Sequence, residues 1–299
     1  MKSKKSYPIV LSIAGSDSSG GAGVQADLKT FSALGVYGAT AITAITAQNT
    51  LGVHSQLAIN PQMVYDQIVA VLDDLHPSFV KIGMLSNVEI VYAVAEALSR
   101  YSLSIILDPV IVSSSGHRLL SVEAQDVIKE KLLPMTTLVT PNIPEMETLT
   151  NMHISNFEEK EKAARHLMDY GVKSVLLKGG HEDGEVKTDL LFIGAQELRS
   201  SGAQELMNSG TSEFDSANHC ITFSSKTIST KNIHGTGCTL SSAIAAFMAR
   251  GLCLEDAVAE AKKFISNAIE AGADVEIGHG FGPVNHGFNP LKMSVYAVR

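Results

Sequence analysis

Short apolar runs alternate with longer stretches of helical period along almost the whole chain, and this rhythm limits the available folds most. Runs rich in Val, Ile and Leu fall at residues 7–14, 37–47, 79–82, 104–107, 137–140 and 172–178. Their lengths suit buried strands. Between them, helical period appears at 22–34, 61–75, 87–100 and 122–132, followed by two further helices after Pro141. Residues 61–75 open with proline, which is preorganised for a first helical turn. Residues 189–193 predict an antiparallel or edge strand, and helices over 236–250 and 254–271 close the pattern. Repeated β-α alternation predicts an α/β fold, with three layers, a mostly parallel central sheet and right-handed crossovers. The chain has 299 residues, of which 45% are hydrophobic, enough for one large core. A single domain over 1–299 is the expectation. A polar stretch at 194–217 carries the repeat GAQEL twice and predicts a surface insertion, as a tolerated loop or a lid.

Charge removes several functions. The formal net charge is −8, and the only basic cluster is Lys2, Lys4 and Lys5, so nucleic acid is not an expected partner. Any bound phosphate must be held by local backbone groups and a few placed cations. The cysteines, Cys220, Cys238 and Cys253, are odd in number and lack CxxC spacing, which argues against a disulfide framework or a zinc site. The first residues have a basic start but a short apolar run, and read as a buried strand rather than a signal peptide. No apolar stretch reaches the ~20 residues of a membrane span. The expected location is the cytoplasm.

The strongest local signal is Asn232-Ile-His-Gly-Thr-Gly-Cys-Thr, which runs directly into an apolar helix. Gly235 and Gly237 allow a tight turn that gathers N–H groups, and the helix N-terminus adds unsatisfied donors. With Thr236 and Cys238 this predicts an anion hole for a transferring phosphoryl group; the plainer alternative is a Gly-rich helix start. Cys238 in the first turn is expected to be shifted toward thiolate and to serve as a general base, or else to be a small buried residue.

A second Gly-rich stretch, residues 14–27, follows the first strand. It formally contains GxGxxA, but no carboxylate ends the second strand, and Gly21 stands where a Walker lysine would be. Both nucleotide motifs fail, so the loop is read as a substrate-facing turn. Asp27 is then a substrate contact or a solvated helix carboxylate. Gln48 offers a donor and an acceptor to a heterocycle edge, or is a turn amide. Asp108 and Glu145 follow strands and suit Mg²⁺, although Glu145 also fits a helix cap with Asn142. Lys178, before Gly179 and Gly180, is placed to reach ATP phosphates.

Taken in order, AGSDSSGGAGVQADLKTFSALGVYG, ITAITAQNT, KIGML, LDPV, TPNIPE, LLKGGH, HGTGC and GFGPV resemble the ribokinase-like superfamily. More closely they are similar to its hydroxymethylpyrimidine/phosphomethylpyrimidine kinase branch of thiamine biosynthesis, from about residue 9 to 284. The resemblance implies two ATP-dependent phosphorylations, of 4-amino-5-hydroxymethyl-2-methylpyrimidine and then of its monophosphate. It implies that Gln48 bonds the pyrimidine, with Asp27 nearby and Gly15, Met84 and Val110 lining the pocket. Asn142, Glu145 and Lys178 would serve Mg²⁺ and ATP, and Gly235, Thr236, Gly237 and Cys238 would form the anion hole. Cys238 takes the place of the aspartate base of sugar kinases. A homodimer is implied as well. Two departures stand out: the length of 194–217, and His279 where a cation is expected. The alternatives are a pyridoxal or pyridoxine kinase and a non-catalytic pyrimidine-binding regulator.

Overall fold

In chain order the elements are β1 (Lys5–Ser6), β2 (Ile9–Asp17), α1 (Gly23–Ala33), β3 (Tyr37–Asn49), β4 (Gly52–Ala58), α2 (Pro61–Leu75), β5 (Phe79–Ile82) and α3 (Val88–Leu98). Then follow β6 (Ser104–Leu107), α4 (Val122–Val127), β7 (Leu138–Val139), α5 (Ile143–Thr150), α6 (Phe157–Asp169), β8 (Ser174–Leu177) and β9 (Val186–Ile193). The last are β10 (Ser212–Asp215), β11 (Cys220–Lys226), α7 (Thr236–Ala249), α8 (Leu254–Gly272) and β12 (Tyr296–Ala297). The structure is a computed structural model and describes residues 5–112, 116, 118–180, 184–194, 212–215 and 220–297.

Ten of these strands form one sheet in the order β10-β11-β9-β8-β7-β6-β5-β2-β3-β4. The stretch from β8 to β3 is parallel, while β4 at one edge and β9, β11 and β10 at the other are antiparallel. Alternate strand residues feed opposite helical layers, as the pleat requires. Leu11, Ile13, Val80, Ile82, Leu107, Val139 and Val175 pack under α2, α3, α5 and α6. Val10, Ile106, Leu138 and Leu176 pack under α1, α7 and α8. Burial on both faces is why these strands read as nearly continuous apolar runs. Ser12 and Lys81 break the pattern. They pair in register on neighbouring β2 and β5, and both are fully buried.

Four details differ from the sequence reading. Strand β4 was not anticipated, because most of its residues are exposed and its sequence, GVHSQLA, lacks a buried apolar face. It pairs with the end of β3, so Gln48 and Asn49 lie inside a strand, opposite Val53 and Gly52. Strand β9 is antiparallel as expected, yet it is interior, with β11 and β10 beyond it. The helix expected over 122–132 stays α-helical only to Val127. It then widens to Leu132 and tightens around Pro134, whose ring cannot continue a helix. Of the expected insertion, Ser212–Asp215 is the edge strand β10; residues 195–211, 216 and 217, with most of both GAQEL copies, lie outside the described residues.

Candidate active site

Helix α7 begins without a side-chain cap. Its N-cap, Gly235, has φ 80°, and a Cβ there would collide with the Gly21 carbonyl of the loop after β2. Only glycine fits that left-handed, closely packed position. The Thr236 N–H donates to Ile233 O at 3.3 Å, so this amide is already spent. The N–H groups of Gly235, Gly237 and Cys238 have no protein acceptor among the described residues, and all four residues line a cavity of about 610 Å³. Three free donors and a positive helix end therefore meet there. Behind them, His286 is hydrogen-bonded to Thr239 Oγ1 at 2.9 Å, and that hydroxyl donates to Gly235 O at 2.8 Å. Thr239 can accept only if His286 Nε2 carries a proton.

Gly237 lies over a charged pair. A Cβ on it would stand 3.3 Å from Lys178 Nζ and 3.5 Å from Asp108 Oδ2. Lys178 Nζ donates to Asp108 Oδ1 at 2.8 Å and lies 3.8 Å from Glu145 Oε2. Burial pushes the Asp108 carboxyl up, but Lys178 and Lys81 overcome this and hold it below its ordinary value. Burial favours loss of the Lys178 proton, but Asp108 and Glu145 reverse this and raise its pKa. Glu145 is pushed up to about 7, chiefly by burial, with Lys178 opposing and Asp108 adding to the rise.

Asn142 and Glu145 form a capping box at the start of α5. Asn142 Oδ1 accepts from Glu145 N at 2.8 Å, and Glu145 Oε2 accepts from Asn142 N at 2.8 Å. Both side chains expected to bind ATP or metal are thus committed to a helix end, although both still line the cavity. Among the described residues no group of three His, Cys, Asp or Glu side chains is arranged to hold a metal ion. Mg²⁺ keeps most of its waters and takes one or two carboxylates beside substrate phosphates. Asp108 and Glu145 fit that water-mediated role; direct ligation by Asp108 would compete with Lys178.

Gly15, Gln48, Met84 and Val110 line the same cavity. A Cβ on Gly15 would lie 2.9 Å from Met84 Sδ, and Met84 packs with Ala44, Leu119 and Val110 in a small apolar cluster of its own. Beside Gln48 are two residues that sequence reasoning missed, Asp17 and His234. Asp17 ends β2, is 3% exposed, and accepts from Ser19 N, Ser19 Oγ, Gly21 N and Ala22 N at 2.7–3.1 Å. His234 Nε2 lies 2.9 Å from its Oδ2. Burial alone would raise the Asp17 carboxyl, but His234, Ser19 and Ala22 outweigh it and bring the pKa down to about 2. The motif AGSDSSGG contains Asp17, but nothing in the sequence says that it meets a histidine more than 200 positions away. A third omission is an apolar wall of Ile228, Ile265 and Ile269, which α8 and the segment after β11 bring to the cavity.

Two expectations fail. Asp27 is neither solvated nor in the cavity. It is fully buried, with its oxygens 2.9 and 3.0 Å from Lys81 Nζ and further bonds from Ser12 and Ser242. That ion pair fills the gap between β2, β5, α1 and α7. Cys238 is not held as a thiolate either. Burial raises its thiol to about 11 despite nearby Lys81. His279 is exposed and does not line the cavity.

The model of the family described as phosphomethylpyrimidine kinase matches residues 17–285. The chain belongs to the phosphomethylpyrimidine kinase family. It is 46% identical over 279 residues to the hydroxymethylpyrimidine/phosphomethylpyrimidine kinase of Rhizobium meliloti (strain 1021), covering 93% of this chain and 96% of that one. With the Escherichia coli (strain K12) enzyme of the same name it is 44% identical over 278 residues, covering 92% and 96%. The crystal structure of phosphomethylpyrimidine kinase from Clostridium difficile 630 superposes with a TM-score of 0.70 at 40% identity, over 87% of this chain and 99% of that one. Pyridoxal kinase from Staphylococcus aureus in complex with pyridoxal superposes at 0.79 and 29% identity, over 98% and 100%. The fold of this family member is ribokinase-like.

Proposed function

We propose that this chain transfers the terminal phosphate of ATP to 4-amino-5-hydroxymethyl-2-methylpyrimidine, and then to the resulting monophosphate, in thiamine biosynthesis. The observation that carries this reading is one cavity whose lining brings together two chemically different groups. One group is the free amides of Gly235, Gly237 and Cys238 above the Lys178–Asp108 pair; the other is the Gln48 amide together with apolar Met84 and Val110. Phosphoryl transfer asks mainly for positioning and for neutralisation of the moving charge. The three amides meet the equatorial oxygens, and Lys178 meets the terminal phosphate while Asp108 keeps it in place. The apolar wall of Ile228, Ile265 and Ile269 suits an adenine ring. Mg²⁺, held through water by Asp108 and Glu145, would supply neutralisation of the nucleotide's phosphate charge.

Cys238 receives the hydroxyl proton only in the first transfer. With its thiol near 11, few molecules hold the thiolate at neutral pH, so the base acts through a minor population. In the second transfer the nucleophile is a phosphate oxygen that is already ionised, and no base is needed.

A second reading, phosphorylation of pyridoxal, is favoured by the likeness to pyridoxal kinase noted above. Parallel ATP-dependent assays on hydroxymethylpyrimidine, its monophosphate and pyridoxal test both. The highest kcat/KM is expected on the pyrimidine, and a higher value on pyridoxal would reverse the assignment. The working unit is a homodimer in this proposal. Ile45 and Leu57, paired across β3 and β4, are 49% and 66% exposed, which leaves apolar surface at a sheet edge.

A further inference from the structure

The amide of Gln48 touches two groups whose protons can be counted. One of its terminal atoms lies 3.2 Å from His234 Nε2, and the other lies 3.2 Å from Thr46 Oγ1. His234 Nε2 also lies 2.9 Å from Asp17 Oδ2. Asp17 is ionised at neutral pH and can only accept, so His234 Nε2 must carry a proton. That one N–H points at Asp17 and is shared with the Gln48 atom beside it; an amide N–H there would meet it donor to donor, so the facing atom is the acceptor Oε1. Thr46 fits that orientation: its single hydroxyl proton has Ser16 O as the nearer acceptor at 2.9 Å, which leaves Oγ1 able to accept from Gln48 Nε2. Nitrogen and oxygen of an amide exchange places by a half-turn; the His234 contact selects this orientation and the Thr46 contact is satisfied by it.

We propose that Asp17 and His234 form a relay that fixes the orientation of the Gln48 amide, and so act as specificity-determining positioning residues. The relay rests on the reading of Gln48 as the group that meets the substrate. With Oε1 tied to His234 and Nε2 tied to Thr46, one lone pair and one N–H of Gln48 remain. That pair matches a ring nitrogen beside an exocyclic amine, which offers one acceptor and one donor. A freely turning amide would show either order and would discriminate poorly against a ring with a hydroxyl in that place. Asp17 also organises the 18–22 turn through four donors, so the relay is rigid at its far end. His234 immediately precedes Gly235, which joins heterocycle recognition to the anion loop within one step of chain.

Calorimetric titration of hydroxymethylpyrimidine without nucleotide tests this in wild type, Gln48→Ala, His234→Phe and the double variant. Loss of one hydrogen bond corresponds to about tenfold in affinity, so each single variant is expected to weaken by about that factor. The double variant is expected to be no weaker than Gln48→Ala, because His234 acts through Gln48. Losses that multiply would overturn the relay alone. Unchanged affinity in Gln48→Ala would overturn the reading of Gln48 itself, and the relay with it. His234→Gln, which can place an N–H near the same point, is expected to recover most of the affinity; no recovery counts against the relay. Nitrogen-15 NMR of the wild-type imidazole needs no variant at all. A proton on His234 Nε2 is expected, and a bare Nε2 would overturn the proposal.

Discussion

Cys238, Asp17 and Lys81 each carry a prediction that belongs to a single side chain. With the Cys238 thiol near 11, kcat/KM for the first phosphorylation is expected to climb steadily from pH 7 to 10. The second is expected to stay flat over that range, because a phosphate monoester has its second pKa near about 6. Cys238→Ala is expected to slow the first step by ~10²-fold or more and the second by far less, as separate steady-state assays would read. Asp17 contributes to stability through its depressed pKa. Its folded value of about 2 lies below the ordinary 3.8, so the stabilisation is complete above the ordinary value and fades as pH falls through 2. The difference amounts to about 2 kcal/mol. Denaturant melts of Asp17→Asn should therefore lose less stability between pH 5 and 2 than wild type does. At Lys81, substitution by Met strands the Asp27 carboxylate in a dry gap and is expected to cost about 3–5 kcal/mol. Pairing Lys81→Met with Asp27→Leu should recover much of that loss, because an apolar pair leaves no uncompensated charge.

Whole elements explain why these side chains converge. Strands β2, β3, β6, β7 and β8 end on one side of the sheet, and Asp17, Gln48, Asp108, Asn142 and Lys178 sit at or just past those ends. Ligands bind beyond the carboxyl ends of parallel strands because the following loops and helix starts converge there. Helix α5 is held at this edge by its capping box. Asn142→Ala is expected to lower stability by about 1 kcal/mol in thermal melts, because Glu145 N loses its side-chain acceptor, while the backbone N–H of residue 142 still holds the Glu145 carboxylate near Lys178. Helix α7 presents Ala243, Ala245 and Ala246 to the core, and these small residues let it lie close to the sheet. That close approach puts Gly237 directly over Lys178 and Asp108.

At the scale of the molecule, the exposed Ile45–Leu57 pair predicts self-association along the β3–β4 edge. Light scattering of the purified protein should give twice the chain mass, and Leu57→Glu should shift it toward the single chain. Sequence alone determined the α/β alternation, the position of almost every helix, and the two glycine-rich turns that frame the cavity. Those features are local: the period of apolar residues, proline at Pro61, and glycine where the backbone turns left-handed at Gly235. Cys238 was identified from the same motif, but not its protonation, because a helix end is visible in sequence and the burial that raises the thiol is not. Asp27 went astray for a related reason. Its partner, Lys81, is 54 positions away and meets it only when β5 lies beside β2. The polar edge strand β4 escaped notice because strand pairing, not an apolar pattern, holds it. Tertiary structure alone decided the meeting of Asp17 with His234, 217 residues apart, since such contacts follow from how layers stack rather than from any spacing along the chain.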